Sequence, residues 1–251
     1  MQKQLLLHVF YKVHYKYILI LFMSLYGCNT KLKTSAKKVK NLYPSEQLKI
    51  KDHNDWAVKH YPKRIKKFKE SPLNFGDIVF IGNSLTEGGG DWSKKLNNAH
   101  IKNRGISGDN TNGVLQRLSE IEHYKPKAVF LLIGINDLND KLTLKQSPNP
   151  KYVGHNILKI TNKLHKAIPE TKLYVQTLLP AVDSLLMPHI TTVNSIIKNN
   201  ENKNVYEVID LHSAFMDANN TTKKELFKDR LHLNANGYKV WSHFVKDYIA
   251  N

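Results

Sequence analysis

The sequence predicts an α/β protein, a three-layer α/β/α sandwich around a five-stranded parallel sheet. Three observations predict it. Five strand-like runs, at 78–81, 101–104, 128–133, 173–179 and 205–211, are too short for helices and end in Gly, Pro or polar turns. The segments between them carry apolar residues at helical spacing. The run Ala128-Val129-Phe130-Leu131-Leu132-Ile133 has no polar residue, the signature of a central strand buried on both faces. Strands alternating with helices require right-handed crossovers and a parallel sheet.

The 251 residues suit one such domain with an N-terminal appendage. Lys3, Lys12 and Lys16 precede the apolar run Tyr17–Tyr26, which Gly27 and Cys28 follow. That run is too short to span a bilayer and fits the apolar core of a signal peptide. Cys28, the sole cysteine, excludes an internal disulfide framework and a Cys-rich zinc site. The stretch resembles a bacterial lipobox, which implies a signal peptide over 1–27, a lipidated Cys28 as first mature residue, and a protein held on the membrane outside the cytoplasm. Tyr26 is bulkier than the residue usual there.

The formal net charge of +17 is uneven: residues 1–76 hold 16 Lys/Arg against 4 Asp/Glu, and residues 77–251 hold 22 against 17. The excess sits mainly in the signal and in a basic tether, 28–44, drawn to anionic headgroups. No helix-turn-helix pattern, zinc knuckle or aromatic RNA-binding strand accompanies it, so no nucleic-acid partner is expected.

The domain is expected over 45–251. Trp56, Val58, Tyr61, Ile65 and Phe68 share a helical face, and Pro62 predicts a helix beginning there or two short pieces. The first strand, Ile78–Ile81, enters a turn at Gly82-Asn83-Ser84, and a helix is expected over 92–98. The second strand leads to Gly105-Ile106-Ser107-Gly108, then a helix over 111–123 bearing Val114, Leu115, Leu118 and Ile121 on one face. The third strand ends at Gly134-Ile135-Asn136-Asp137, followed by a polar loop over 138–151. Helices are expected over 153–168, 183–199 and 235–249, and irregular chain over 216–228. The arrangement is of flavodoxin-like type.

Parallel strands place Ser84, Gly108 and Asn136 at mouths along one edge of the sheet, where open α/β sheets bind ligands. Lys228-Asp229-Arg230-Leu231-His232 precedes the last helix. Acyl transfer needs such a set. A serine hydroxyl is a poor nucleophile until a base takes its proton. His232 is suited to that task, and Asp229 to orienting its ring. The backbone N–H groups of Ser84 and Gly108 and the amide of Asn136 suit a developing oxyanion.

Gly82-Asn83-Ser84-Leu85, Ser107-Gly108-Asp109-Asn110-Thr111, Gly134-Ile135-Asn136-Asp137 and Asp229-Arg230-Leu231-His232 resemble, in order, the four blocks of the SGNH (GDSL) hydrolase family. Asp91-Trp92 and the stretch from His232 to Trp241 are similar to its platelet-activating-factor-acetylhydrolase-like and carbohydrate-acetylesterase-like branch. The resemblance implies a Ser84–His232–Asp229 triad, an oxyanion hole of Ser84, Gly108 and Asn136, no metal and no cofactor. It implies an esterase removing short acyl groups, acetyl first, from carbohydrate or a related polar ester. A lysophospholipase or thioesterase, and a non-catalytic carbohydrate-binding protein, are the alternatives. One departure stands out: Asn83 occupies the place of the family's Asp, which keeps shape and one acceptor but loses charge.

Cys28→Ala is expected to leave the precursor unprocessed or to release the protein from membranes, read by fractionation. A wild-type protein carrying no lipid by mass spectrometry would refute the anchor.

Overall fold

The computed structural model describes residues 42–250 apart from 203. The expected signal peptide, Cys28 and nearly all of the tether lie outside the described residues. Five strands, β1 (Ile78–Gly82), β2 (Ile101–Gly105), β3 (Ala128–Leu132), β4 (Lys172–Gln176) and β5 (Glu207–Ile209), form one sheet. The order is β2-β1-β3-β4-β5 and every pair is parallel. Ile78 pairs with both Ile101 and Ala128, so β1, β2 and β3 run in step to one edge. All residues of β1 and β3 are buried. Because alternate side chains point to opposite faces, both faces of the sheet are covered.

One face carries an aromatic row that follows the pairing register. Phe80, Phe130 and Tyr174 lie side by side on β1, β3 and β4, with centroids 4.7 and 4.8 Å apart. Trp92, in the short helix α3 (Trp92–Lys95), stacks on Phe80 at 4.7 Å. Trp241, in the last helix (Ala235–Ala250), meets Trp92 at 4.8 Å and donates its indole N–H to Gln176 Oε1 at 2.7 Å. Burying aromatics of this size is worth roughly 1.5–3 kcal/mol each, so this row anchors that layer.

The helices differ from expectation where side chains found partners that periodicity does not show. The first, α1 (Asp55–Glu70), runs unbroken through Pro62. Asn54 caps it by accepting the Ala57 N–H at 2.9 Å. Burial of Tyr61, Ile65 and Phe68 with Ile50 and Ile106 offsets the bond that Pro62 cannot donate. The helix expected over 111–123 divides into α4 (Thr111–Leu115) and α5 (Ser119–Tyr124), because Arg117 turns inward between them. The segment read as a polar loop instead opens with α6 (Ile135–Thr143), whose buried Ile135 and Leu138 were masked by polar neighbours. The helix expected over 92–98 is only α3, and the strands expected over 173–179 and 205–211 shorten to β4 and β5. Helix α7 (Pro150–Ala167) packs on α8 (Met187–Asn199), where Pro188 sits in the first turn. A single 3₁₀ turn, Lys224–Leu226, interrupts the irregular stretch.

A buried ion pair joins β2 to α5. Arg104 donates to Glu120 through Nε at 2.9 Å and Nη2 at 2.8 Å. Glu120 also accepts from Tyr43 Oη at 2.9 Å and the Leu73 N–H at 3.2 Å. Glu120→Ala should therefore lower unfolding free energy by about 3–5 kcal/mol in urea titrations, since Arg104 would stay buried unpaired.

Candidate active site

From β1 the chain goes to β2 on one side and then crosses back to β3 on the other, so the strand order reverses beside β1, a place where open sheets form ligand crevices. Ser84 opens the short helix α2 (Ser84–Gly88) directly after β1. That helix rests on β2 with no room to spare: a Cβ on Gly105 would lie 2.1 Å from Glu87 N, so only glycine allows the approach. Asn83 caps α2 by accepting the Leu85 N–H at 3.0 Å. Its Nδ2 is buried and has no partner among the described residues.

Ser84 Oγ lies 3.0 Å from His232 Nε2, although 148 residues separate them. The other ring nitrogen, Nδ1, is 2.9 Å from Asp229 Oδ2. Asp229 Oδ1 also accepts the backbone N–H groups of Leu231 and His232, both at 2.8 Å. Burial pulls the Asp229 carboxyl upward, but those N–H donors and the His232 ring hold it down at about 2. It is an anion at every pH near neutrality, and the 46% exposure of its side chain favours the same state. The loop is pinned further by Val182 N–H donating to Arg230 O at 3.0 Å and by the Arg230–Asp183 pair at 3.1 Å.

Gly108 sits at φ +76°, a conformation L side chains rarely adopt, and an added Cβ would meet Ala57 at 2.9 Å. The backbone N–H groups of Ser84 and Gly108 carry no hydrogen bond among the described residues. Asn136, in the first turn of α6, donates one N–H to Asp109 O at 2.8 Å, leaving the second without an acceptor there. Asn83, Leu85, Ile135 and Leu231, the chain neighbours of Ser84, Asn136 and His232, line one small cavity with Leu132, Leu178, Leu179 and Pro180. Its volume, traced by the centre of a water-sized sphere, is about 10 Å³, room for about one water or methyl group. The structure thus brings Ser84, His232 and Asp229 into one hydrogen-bonded line, ties Asn136 to the Gly108 turn, and leaves a small, mostly apolar cavity lined by their chain neighbours.

Sequence reasoning missed what holds this together. Arg117 is buried and donates to Asp109 Oδ2 from Nε at 2.9 Å, to Arg104 O from Nη1 at 2.7 Å and to Gly82 O from Nη2 at 2.9 Å, and Nη2 also lies 2.9 Å from Asp109 Oδ2 as an ion pair. Its position on the same stripe as Val114, Leu118 and Ile121 was the available signal: a cation on an apolar face needs a buried partner. His53 Nε2 lies 3.2 Å from Asp109 Oδ1. Burial lifts the Asp137 carboxyl to about 7, although Thr111 opposes this by donating to it through N–H and hydroxyl. Among the described residues, no group of three or more His, Cys, Asp or Glu could hold a metal ion.

The model of the GDSL-like lipase/acylhydrolase family matches residues 80–240. Over 171 residues the chain is 29% identical to platelet-activating factor acetylhydrolase IB subunit alpha2 of Rattus norvegicus, covering 64% of this chain and 71% of that one. A GDSL-like lipase structure from Bacteroides thetaiotaomicron superposes with TM-score 0.64 at 20% identity, over 78% of this chain and 98% of that one. An acetylxylan esterase structure from Geobacillus stearothermophilus does so with TM-score 0.56 at 16% identity, over 70% and 95%. The two structural likenesses carry the fold, and the match over 80–240 carries the family. This chain belongs to the GDSL-like lipase/acylhydrolase family and is a hydrolase of ester bonds.

Proposed function

We propose that this hydrolase is a serine esterase that removes acetyl groups from carbohydrate or a related polar alcohol. The observation that carries the reading is the unbroken line from Ser84 Oγ through His232 to Asp229. Ser84 Oγ attacks the ester carbonyl while its proton passes to His232 Nε2. The Asp229 anion keeps the second ring N–H directed at itself and stabilises the imidazolium that forms. The negative charge that builds on the carbonyl oxygen is met by the N–H groups of Ser84 and Gly108 and by the free N–H of Asn136. Collapse releases the alcohol with the proton from His232. A water molecule, deprotonated by the same nitrogen, then hydrolyses the acyl-serine to the carboxylic acid.

The small cavity lined by the chain neighbours of Ser84, Asn136 and His232 supports an acetyl group, since a longer chain would meet Leu178, Leu179 and Leu231. The names of the relatives agree on this half of the ester. Platelet-activating factor acetylhydrolase and acetylxylan esterase share the acetyl group and differ in the alcohol. The same geometry argues against a lysophospholipase or long-chain thioesterase. We also place the protein on the membrane outside the cytoplasm through Cys28, on the order of charge, apolar run and cysteine in the sequence.

With p-nitrophenyl esters of increasing chain length, wild type should cleave acetate best and fall steeply by butyrate. Ser84→Ala and His232→Ala should each abolish turnover in folded protein, and Asp229→Asn should leave part of it. Full turnover by His232→Ala would refute the triad. Asn136→Ala should lower kcat roughly 10²–10³-fold with little change in KM, the range for losing one oxyanion donor. A folded Asn136→Ala enzyme with near-normal kcat would remove Asn136 from the site.

A further inference from the structure

The cavity assigned to the acyl group is small, so the alcohol part of any substrate must lie outside it, against the rim of the site. One exposed aromatic occupies that rim. Trp56, in the first turn of α1, is 55% exposed. Its ring atoms Cε3 and Cζ3 would lie 3.2 Å from a Cβ built on Gly108, so the indole abuts the turn assigned here to the oxyanion. The ring is also held in place. It stacks on His60 with centroids 4.5 Å apart and planes 22° from parallel. His60 Nε2 lies 3.0 Å from Glu87 Oε2. That same oxygen accepts the Ser107 N–H at 2.6 Å, and Arg64 pairs with Glu87 at 3.3 Å. The platform and the Ser107–Gly108 turn are therefore fastened to one carboxylate.

We propose that Trp56 is a stacking platform for the sugar ring of an acetylated saccharide, a specificity-determining residue for the alcohol half of the substrate. This rests on the acetylesterase reading above. A large indole left half in water costs solvation and is not needed for the core, where Tyr61, Ile65 and Phe68 already fill the buried face of α1. A pyranose presents one face of C–H groups made slightly positive by neighbouring oxygens, which the negative face of an aromatic ring attracts. Its hydroxyl edge needs water and polar neighbours, and His60 and Glu87 stand beside the indole. The pre-stacked ring loses little freedom when a ligand arrives, which favours binding. An acetylated lipid would instead need an apolar floor at the rim, and there the indole is backed by His60 and, through it, by the Glu87 carboxylate.

The test compares a monoacetylated methyl xylopyranoside, ethyl acetate and micellar acetylated ether phospholipid as substrates of wild type, Trp56→Ala and Trp56→Tyr. The expected result is that Trp56→Ala lowers the ratio of kcat/KM, xyloside over ethyl acetate, roughly tenfold through KM, and that Trp56→Tyr restores most of it. An equal loss on both esters would mean that Trp56 only shapes the Gly108 turn, and would overturn the proposal. So would a loss larger on the phospholipid than on the xyloside. Wild type that cleaves ethyl acetate as well as the xyloside would defeat the sugar platform and leave the esterase reading intact. No turnover of any ester would defeat both.

Discussion

The site depends on one buried ion pair, Arg117 with Asp109. Both side chains are sealed from water. A buried charge is costly unless every donor finds an acceptor, and here the guanidinium distributes its donors over a carboxylate and two backbone carbonyls. Those carbonyls belong to Gly82, at the end of β1, and Arg104, near the end of β2. The fork therefore fixes the spacing of two strand mouths, one bearing Ser84 and the other leading to Gly108. Lysine could not replace it, because a single ammonium lacks the planar array of donors. Asp109 in turn presents its backbone carbonyl to Asn136. Groups from three separate turns are thus linked through one ion pair, and the inward turn of Arg117 breaks the helix that sequence periodicity continues.

A second carboxylate does the corresponding work on the outer side. Burial raises the proton affinity of Glu87, but bonds from His60 and Ser107 and the Arg64 charge outweigh it and keep the group ionised. Arg64 also donates to Gly105 O at 3.0 Å. Helix α1 lies ahead of all four family blocks, yet Trp56, His60 and Arg64 join it to the rim of the site. The segment before β1 thus packs into the same compact unit as the four blocks. Asn83 fits the same economy. Only its oxygen is used, as the cap for Leu85, so the exchange of Asp for Asn keeps the turn. The cost is an unpaired buried N–H, about 1–3 kcal/mol.

The fold was legible in the sequence because a buried parallel strand cannot hide. Ile78–Ile81 and Ala128–Ile133 are apolar on both faces, and glycine or asparagine must follow where the chain turns at the mouth. The four blocks mark the polar groups at the strand mouths, and the local pair Asp229–His232, three residues apart, needed no distant information. Pattern alone could not decide where Pro62 would be tolerated, that α6 would form among polar neighbours, or that Arg117 would turn inward. Each depends on what packs against the residue, and the packing partner lies far along the chain. The same holds for the closeness of Ser84 to His232 across 148 residues, for the small cavity made by residues of four separate segments, and for Trp56 meeting Gly108. Sequence by itself determined the layers, the strand mouths and the chemical groups available. Only the tertiary structure decided which groups meet and how much room lies between them, because distance across a fold is set by packing and not by spacing along the chain.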